Sequence, residues 1–341
     1  MKKILFATTA LIATAGMAAA DVKISGYGRF GLDYNEANDR ATNGVSETTI
    51  TSRLRLQFDM STETDSGVVL GARLRAQGDS RDNNAFASNN GSIGFNGARF
   101  YATYGGFTVG VGNIIGAVEN MPGLYLETRT AGIGIDGAGF QSLVTNVNGT
   151  APTALSESFN WDAYSSGGVG SNGVEVLYSA GGFTGHLSYS TANGATAVDR
   201  TAIMLAYTFG DWTAAIAAQD SDTLWEDKVA VSIAGDLGQF GVRLAYADND
   251  GIDKWGLYGN MDIGAASNIL VFVTDEDAVS AADVAAGRFD NRDSVGVKGA
   301  EGTAYGIHYS YDLGGGASFE AGWTENSWDV TTVQAGVYFS F

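Results

Sequence analysis

The segment TSRLRLQF, residues 51–58, alternates polar and apolar side chains along its length. In an extended chain its two leucines and its phenylalanine fall on one face, and Arg53 and Arg55 fall on the other. A period of two predicts a β-strand with one apolar and one polar face. Because two neighbouring arginines need water or an acidic partner, the environment of this polar face decides what kind of sheet the strand belongs to.

The same alternation continues through most of the chain after residue 21, for example in VKISGYGRFGLDY (22–34), TAIMLAYTF (201–209) and TVQAGVYFSF (332–341). The composition agrees with β-structure, since 48 glycines and 38 aromatic residues accompany only two prolines. Glycine-rich sequence is often disordered, but this many aromatic residues argue against disorder. The chain has no cysteine, which excludes disulfides and cysteine-based metal or redox chemistry.

Residues 1–20, MKKILFATTALIATAGMAAA, combine two lysines, a moderate apolar run and small residues at the end. These features predict a cleaved signal peptide, because the apolar run is shorter than the roughly 20 residues of a membrane-spanning helix. Cleavage before Asp21 removes Lys2 and Lys3 and changes the formal net charge from −19 to −21. A chain with this negative charge is not expected to bind nucleic acid, because proteins bind the phosphates of nucleic acid through Lys and Arg.

Short turns and longer loops alternate strictly along the chain. Seven glycine- or aspartate-containing turns each join two alternating segments and predict hairpins; they lie near 61–67, 104–106, 179–182, 209–212, 235–239, 262–267 and 312–317. Eight connections of variable length separate these hairpins, at 35–46, 78–92, 113–172, 191–200, 221–226, 250–252, 278–301 and 327–330. With the first and last segments, the hairpins predict sixteen strands.

Short turns at one end and long loops at the other are typical of bacterial outer-membrane barrels, which also have an even number of strands about ten residues long. Aromatic residues beside the turns, such as Phe209 and Trp212, match the interfacial girdles of such barrels. We therefore predict an all-β fold, a 16-stranded antiparallel transmembrane β-barrel formed by residues 21–341. A soluble all-β sandwich is the alternative, but it gives no reason for all the long loops to share one end.

The arginines then identify the inner face of the barrel. Six of them fall on the polar faces of the first four strands: Arg29, Arg53, Arg55, Arg73, Arg75 and Arg99. An arginine facing lipid near the midplane costs roughly 2–4 kcal/mol, so four of them would cost about as much as the entire stability of a typical domain. These side chains are therefore expected to face the lumen. Arg29, Arg53, Arg55, Arg73 and Arg75 are the candidates for a basic wall, and local pairing without a role in permeation is the alternative for each.

Several segments together resemble one family. DVKISGYGRFGLDYN, SRLRLQFDMST, TDSG, YDLGGGAS and a terminal phenylalanine are similar in order and spacing to the Gram-negative general-diffusion porins, closest to those of purple photosynthetic bacteria. The resemblance covers the whole mature chain. It implies a homotrimer of sixteen-stranded barrels in the outer membrane, in contact with lipid and lipopolysaccharide, with the third external loop folded inward in each barrel.

The segment 113–172 is the candidate for this inward loop, because it is far longer than an ordinary connection and contains both prolines. Its apolar residues between 114 and 126 suggest packing against a surface; a loop exposed to water is the alternative. In the porin family, acidic residues on this loop face the basic wall. Mapped onto this sequence, that implies Glu119, Glu127 and Asp136, with Glu157 and Asp162 as second choices because they lie late in the loop.

Other chemistry is sparse in the sequence. His186 and His308 fall on polar faces of separate strands, and neither accompanies a nucleophile motif. The acidic segment 274–293 lacks the spacing of an EF-hand, although its carboxylates and the resemblance to calcium-binding porins leave a structural Ca²⁺ open. No cofactor is required for the predicted function, and no enzyme activity is expected.

The sequence thus predicts an outer-membrane channel for passive diffusion of small hydrophilic solutes and ions through a charged constriction. A substrate-selective channel would need a continuous binding track. An outer-membrane barrel enzyme would need a histidine beside a nucleophile on the lipid face, and an adhesive barrel would have a plugged lumen.

Overall fold

Sixteen antiparallel strands close into a barrel in the part of the chain that this computed structural model describes. The described residues are 21–81, 94–125, 143–145, 160–191, 198–292 and 301–341, and for residues 79–81 only the backbone is described. The predicted signal peptide, Glu127, Asp136 and Glu157 lie outside these residues.

The strands follow the hairpin order predicted from the turns. They are β1 Asp21–Asn35, β2 Thr48–Glu63, β3 Val69–Arg81, β4 in two pieces Gly94–Phe95 and Arg99–Tyr104, β5 Phe107–Asn113, β6 Asn172–Ala180, β7 Phe183–Thr191, β8 Asp199–Phe209, β9 Trp212–Ser221, β10 Lys228–Leu237, β11 Phe240–Asp248, β12 Asp253–Ile263, β13 Ser267–Glu276, β14 Gly302–Gly314, β15 Ala317–Glu325 and β16 Thr331–Ser340. One short helix, α1 Ala281–Ala285, lies in the loop between β13 and β14.

Both pieces of β4 pair with β3, so they form one interrupted strand. At the interruption, the Asn96 amide donates to the carbonyl of Ser165, and the Gly97 N–H donates to the carbonyl of Gly168 at 2.7 Å. The strand breaks because the Gly97 backbone and the Asn96 side chain bond to the end of the 113–172 loop instead of continuing the ladder. The predicted count of sixteen strands is confirmed.

The barrel closes between its first and last strands. β1 pairs with β16 from Tyr27 opposite Ser340 to Asn35 opposite Thr332. Gly26 and Phe341 then exchange two backbone hydrogen bonds, at 2.9 and 3.0 Å. Each of the described strands therefore has two neighbours, and none of them presents a free edge for pairing with another chain.

The hairpin turns show why glycine is common at one end of the barrel. In the turns at 105–106 and 181–182 both glycines have positive φ, from +57° to +86°. Consecutive positive φ angles define the type I′ turn, whose twist matches that of the strands it joins. Short turns thus gather at one end, and the longer loops lie at the other.

The apolar faces of the strands point outward, as predicted. Leu54 on β2 is 40% exposed, and the alternate residues of β8, from Ile203 to Phe209, are 41–52% exposed. On β8 the residues between them in the middle of the strand point inward and are buried, such as Met204 at 1% and Ala206 at 8%. Among the described residues no helix is long and apolar enough to cross a membrane.

Candidate functional site: the channel lumen

The described parts of the 113–172 loop lie inside the barrel, where their apolar residues pack against the wall. Ala117, Val118, Met121, Leu124 and Trp161 are all at most 3% exposed. The wall beneath them consists mostly of inward-facing alanines from four strands, β8 to β11: Ala202, Ala206, Ala215, Ala217, Ala230, Ala245 and Ala247, with Met204 among them. Small side chains leave room for the loop, and burial of a large apolar side chain contributes about 1.5–3 kcal/mol.

This alanine surface differs from the predicted polar inner face of the strands. The inward faces of β8 to β11 are partly apolar because the loop covers them. The signal was present in the sequence as alternate alanines in segments such as TAAIAAQ (213–219).

The root of the loop is fixed by Glu175, a 1% exposed residue on β6. One of its carboxylate oxygens accepts from Arg99 Nε at 2.5 Å. The other accepts from the N–H groups of Ile115 and Gly116, at 2.9 and 3.2 Å, and lies 3.0 Å from His186 Nε2. Arg99 and His186 therefore hold the Glu175 carboxylate that binds the root of the loop, and neither lines the cavity beside the loop.

Gly116 is required at this root for two reasons. Its φ is +85°, which side chains rarely allow, and a Cβ there would lie 2.1 Å from the carbonyl oxygen of Asp162. The two ends of the loop thus meet closely at this glycine.

On the far side of the barrel, wall side chains hold the loop by its backbone carbonyls. Ser232 Oγ donates to the Pro122 carbonyl at 2.6 Å, and the Arg243 guanidinium donates to the carbonyls of Gly123 and Tyr125. Three further side chains donate to backbone carbonyls of the loop. Gln219 donates to the carbonyl of Asn160, Asn249 to that of Leu143, and Lys254 to that of Thr145. These donors satisfy carbonyl groups that an irregular buried segment would otherwise leave unpaired.

A cavity of about 1370 Å³ remains beside the loop. Four of the five predicted wall arginines line it: Arg29, Arg53, Arg55 and Arg75. Arg73 does not belong to this lining, because its Nε donates to Asp59 Oδ1 at 2.6 Å further along β3. For Arg73 the geometry matches the alternative of local pairing.

Cross-strand pairs hold the arginines of β2 and β3 in place. The register sets Arg55 opposite Gln77, and Gln57 opposite Arg75. Each guanidinium uses its Nε to donate to the facing amide oxygen, at 2.7 Å for Arg55 and 2.9 Å for Arg75. Arg75 also lies over the Tyr164 ring, 4.5 Å from its centroid. These contacts fix each planar guanidinium with its charge at the lumen surface.

Glu119 is the acidic group that the loop contributes to the same cavity. Its carboxylate accepts from the Tyr125 hydroxyl and from Trp161 Nε1, each at 2.8 Å. Burial raises the pKa of Glu119 above its ordinary value, and the two hydrogen bonds and the charge of Arg75 only partly oppose this effect.

Asp162 also lines the cavity, although its position late in the loop made it a second choice. It accepts from Ser190 Oγ at 2.7 Å and lies 3.8 Å from Arg200 Nη1. Burial raises the pKa of Asp162 as well. Glu127, Asp136 and Glu157 lie outside the described residues.

Three carboxylates of the acidic segment 274–293 form ion pairs in its described part, up to residue 292. Glu276 pairs with Lys254 at 2.7 Å, Asp283 lies 3.5 Å from Arg288, and Asp290 pairs with Arg292 at 2.8 Å. Within the described ranges, no three His, Asp or Glu side chains converge in a way that could hold a metal ion.

These features define a class of protein. A closed sixteen-stranded barrel with an apolar exterior, a charged lumen and a long loop packed inside is a channel of the outer membrane. Within the described strands, the ladder leaves no backbone edge exposed to lipid. A sheet that spans a membrane must be closed in this way.

Comparison with known proteins identifies the family. Residues 7–329 match the Gram-negative porin family. The porin of Fuscovulum blasticum is 30% identical over 335 residues, covering 94% of this chain and 100% of that protein, and the porin of Rhodobacter capsulatus is 26% identical over 340 residues with the same coverage. A solved mutant of Rh. blastica porin superposes with a TM-score of 0.72 at 27% identity, covering 94% of this chain and 100% of the other.

The chain belongs to the Gram-negative porin family. It is an outer-membrane diffusion channel of a Gram-negative bacterium, and the family and structural matches indicate a channel rather than an enzyme.

Proposed function

We propose that this channel sorts solutes at a constriction between a basic wall and an acidic loop. The basic wall consists of Arg29, Arg53, Arg55 and Arg75, and the acidic side consists of Glu119 with Asp162. The observation that supports the proposal is that all six residues line one cavity beside the inward loop. Glu127 and Asp136 stay predictions for the acidic side.

Opposite charges on two sides of a water-filled gap produce a transverse electric field. Polar solutes and water can align their dipoles in this field, whereas an apolar solute of the same size must displace oriented water without replacing its interactions. The walls carrying the charges have low polarizability, so the field is stronger than between the same charges in bulk water. The constriction therefore favours small hydrophilic solutes.

We further propose that the channel is a homotrimer. Its apolar outer face, with side chains such as Phe30, Leu32 and Ile50 more than 50% exposed, would be shared between neighbouring subunits and outer-membrane lipid. Lipopolysaccharide would contact the end of the barrel that carries the long loops.

Purified protein in a planar bilayer tests the channel proposal. We expect conductance steps in groups of three and current that depends weakly on which small sugar is added. Strong block by one particular sugar would favour a substrate-selective channel instead, and single independent steps would contradict the trimer.

A structural Ca²⁺ in the 274–293 segment stays a hypothesis, because three carboxylates of its described part, those of Glu276, Asp283 and Asp290, already pair with basic side chains. The temperature of thermal unfolding, measured once with a calcium chelator and once with added calcium, tests this hypothesis. Unchanged unfolding in both conditions would contradict a structural ion.

A further inference from the structure

Two tyrosines and three arginines form a continuous surface on the lumen wall across β16, β1 and β2. We call this surface the tyrosine–arginine patch; it consists of Tyr27, Arg29, Arg53, Arg55 and Tyr338. The register sets Arg29 between Tyr338 on one side and Arg53 on the other, and sets Tyr27 opposite Arg55. All five residues line the cavity and are partly exposed to it.

The aromatic part of the patch has a defined geometry. The rings of Tyr27 and Tyr338 stack with centroids 5.4 Å apart and an interplanar angle of 25°. The Arg55 guanidinium carbon lies 5.1 Å from the centre of the Tyr27 ring. The wall therefore presents flat aromatic surface directly beside fixed positive charge.

The charged part of the patch favours an anion. Arg29 and Arg53 are directly opposed on adjacent strands, and both line the cavity. Their guanidinium groups therefore lie side by side on the lumen wall. A carboxylate that enters the cavity between them can accept charge-assisted hydrogen bonds from both groups.

We propose that the tyrosine–arginine patch is a binding site for small aromatic carboxylates. The carboxylate group binds between Arg29 and Arg53, and the aromatic ring packs against the Tyr27 and Tyr338 rings in an offset or edge-on arrangement. This assignment rests on the proposed constriction, since it names a solute class that the basic wall would retain. A weak site suits a channel, because a solute must bind well enough to enter and loosely enough to leave.

Single-channel recording tests the proposal with three probes of similar size. The probes are benzoate, cyclohexanecarboxylate, which has the charge without the aromatic ring, and benzyl alcohol, which has the ring without the charge. We expect benzoate to occupy the channel about 2- to 10-fold longer than cyclohexanecarboxylate, as one aromatic pair would provide. Benzyl alcohol is expected to interrupt the current least. Equal occupancy by the two carboxylates would overturn the proposal and leave only an attraction of charges.

Variants of the channel test whether the longer occupancy by the aromatic carboxylate depends on the tyrosine–arginine patch. Tyr338→Leu is expected to abolish the advantage of the aromatic carboxylate, whereas Tyr338→Phe keeps it because the ring remains. Arg53→Gln is expected to shorten occupancy by both carboxylates. Tyr34→Leu is the matched control, since Tyr34 lies on the same strand β1 but on the opposite face. Retention of the aromatic advantage in Tyr338→Leu would contradict the site.

The same recordings separate this proposal from the proposed constriction. Current in KCl without any probe reports whether the channel conducts, and its ion preference reports the charged constriction. A channel with normal KCl current and ion preference that does not distinguish the carboxylates would refute the aromatic site alone. If Tyr338→Leu does not assemble, the comparison of the two carboxylates in the unmodified channel still decides the outcome.

Discussion

At the scale of single residues, the side chains at the lumen surface are held by specific contacts that fix where their charges lie. Arg55 and Arg75 each bond through Nε to a glutamine on the facing strand, and Glu119 accepts from a tyrosine and a tryptophan. Fixed charges need no reorganisation when a solute arrives. Substitutions at these positions should therefore change permeation more than they change folding.

Replacement of both Arg53 and Arg55 by alanine is expected to increase conductance and to shift ion preference toward cations, because it removes bulk and two positive charges from the lumen wall. Reversal potentials in a salt gradient and single-channel conductance measure both effects. Arg40→Ala, in the loop between β1 and β2, is the control. Unchanged conductance and unchanged ion preference in the double variant would show that these arginines lie outside the constriction.

Acidification is expected to reduce cation preference as Glu119 becomes protonated. Because burial raises the pKa of Glu119, its negative charge is lost at a higher pH than for an ordinary glutamate, and it is present again above that pKa. Glu119→Gln should shift the preference at pH 7 in the same direction and respond less to further acidification. Measurement of reversal potentials from pH 7 downward checks this, and an identical pH response in Glu119→Gln and the unmodified channel would contradict it.

At the scale of elements, the 113–172 loop is attached to the wall in two different ways. Its root is bound to the Glu175 carboxylate, together with Arg99 and His186, and its far part rests on alanines and on donors to its carbonyls. At the start of the loop, Ile115 and Gly116 both bond to one buried carboxylate, whereas the far part is held by many separate contacts. Substitution of Glu175 should therefore loosen the start of the loop more than any single substitution loosens the far part.

Glu175→Gln is expected to loosen the root of the loop, because the neutral amide loses the ion pair with Arg99 and one of the acceptor oxygens. Breaking a buried ion pair costs about 3–5 kcal/mol. We expect larger current fluctuations and faster proteolysis within the loop, while the barrel stays folded in detergent. Glu63→Gln, which removes an exposed carboxylate at the end of β2, is the control. Current noise and protease resistance equal to those of the unmodified channel would contradict the anchor.

At the scale of the whole molecule, the excess of acidic over basic residues sets the background potential for ions. The chain has 38 acidic and 19 basic residues, and the predicted loss of Lys2 and Lys3 makes the balance more negative. The arginines of the wall oppose this background only locally. We therefore predict a weak preference for cations in the complete channel.

This cation preference is expected to decline as salt concentration rises, because the screening length falls from about 10 Å at 0.1 M to about 3 Å at 1 M. Reversal potentials measured at both concentrations with the same salt gradient ratio check the prediction. A clear preference for anions at 0.1 M would show that the basic wall, and not the net charge, controls ion selection.

Much of the fold could be predicted because it depends on local patterns. The alternation in residues 51–58 identifies the two faces of β2, and short turns such as those at 105–106 and 181–182 locate the hairpins. The position of the arginines inside the lumen follows from the cost of placing them in lipid. Glu175 was not predicted as the anchor, because one glutamate in an alternating strand has no local signal that distinguishes it from other lumen residues.

The sequence by itself determined the class of fold, the order of the strands and the face on which each strand side chain lies, because a period of two and the exclusion of charge from lipid are local constraints. Only the tertiary structure decided which charges share one cavity. Arg73 and Arg75 have the same phase on β3, yet only Arg75 lines the cavity beside the loop, and Asp162 lines it despite its late position. The height of a residue in the barrel and the path of the inward loop arise from contacts between distant segments, such as Glu175 with Gly116 and Arg243 with Tyr125, which no local pattern encodes.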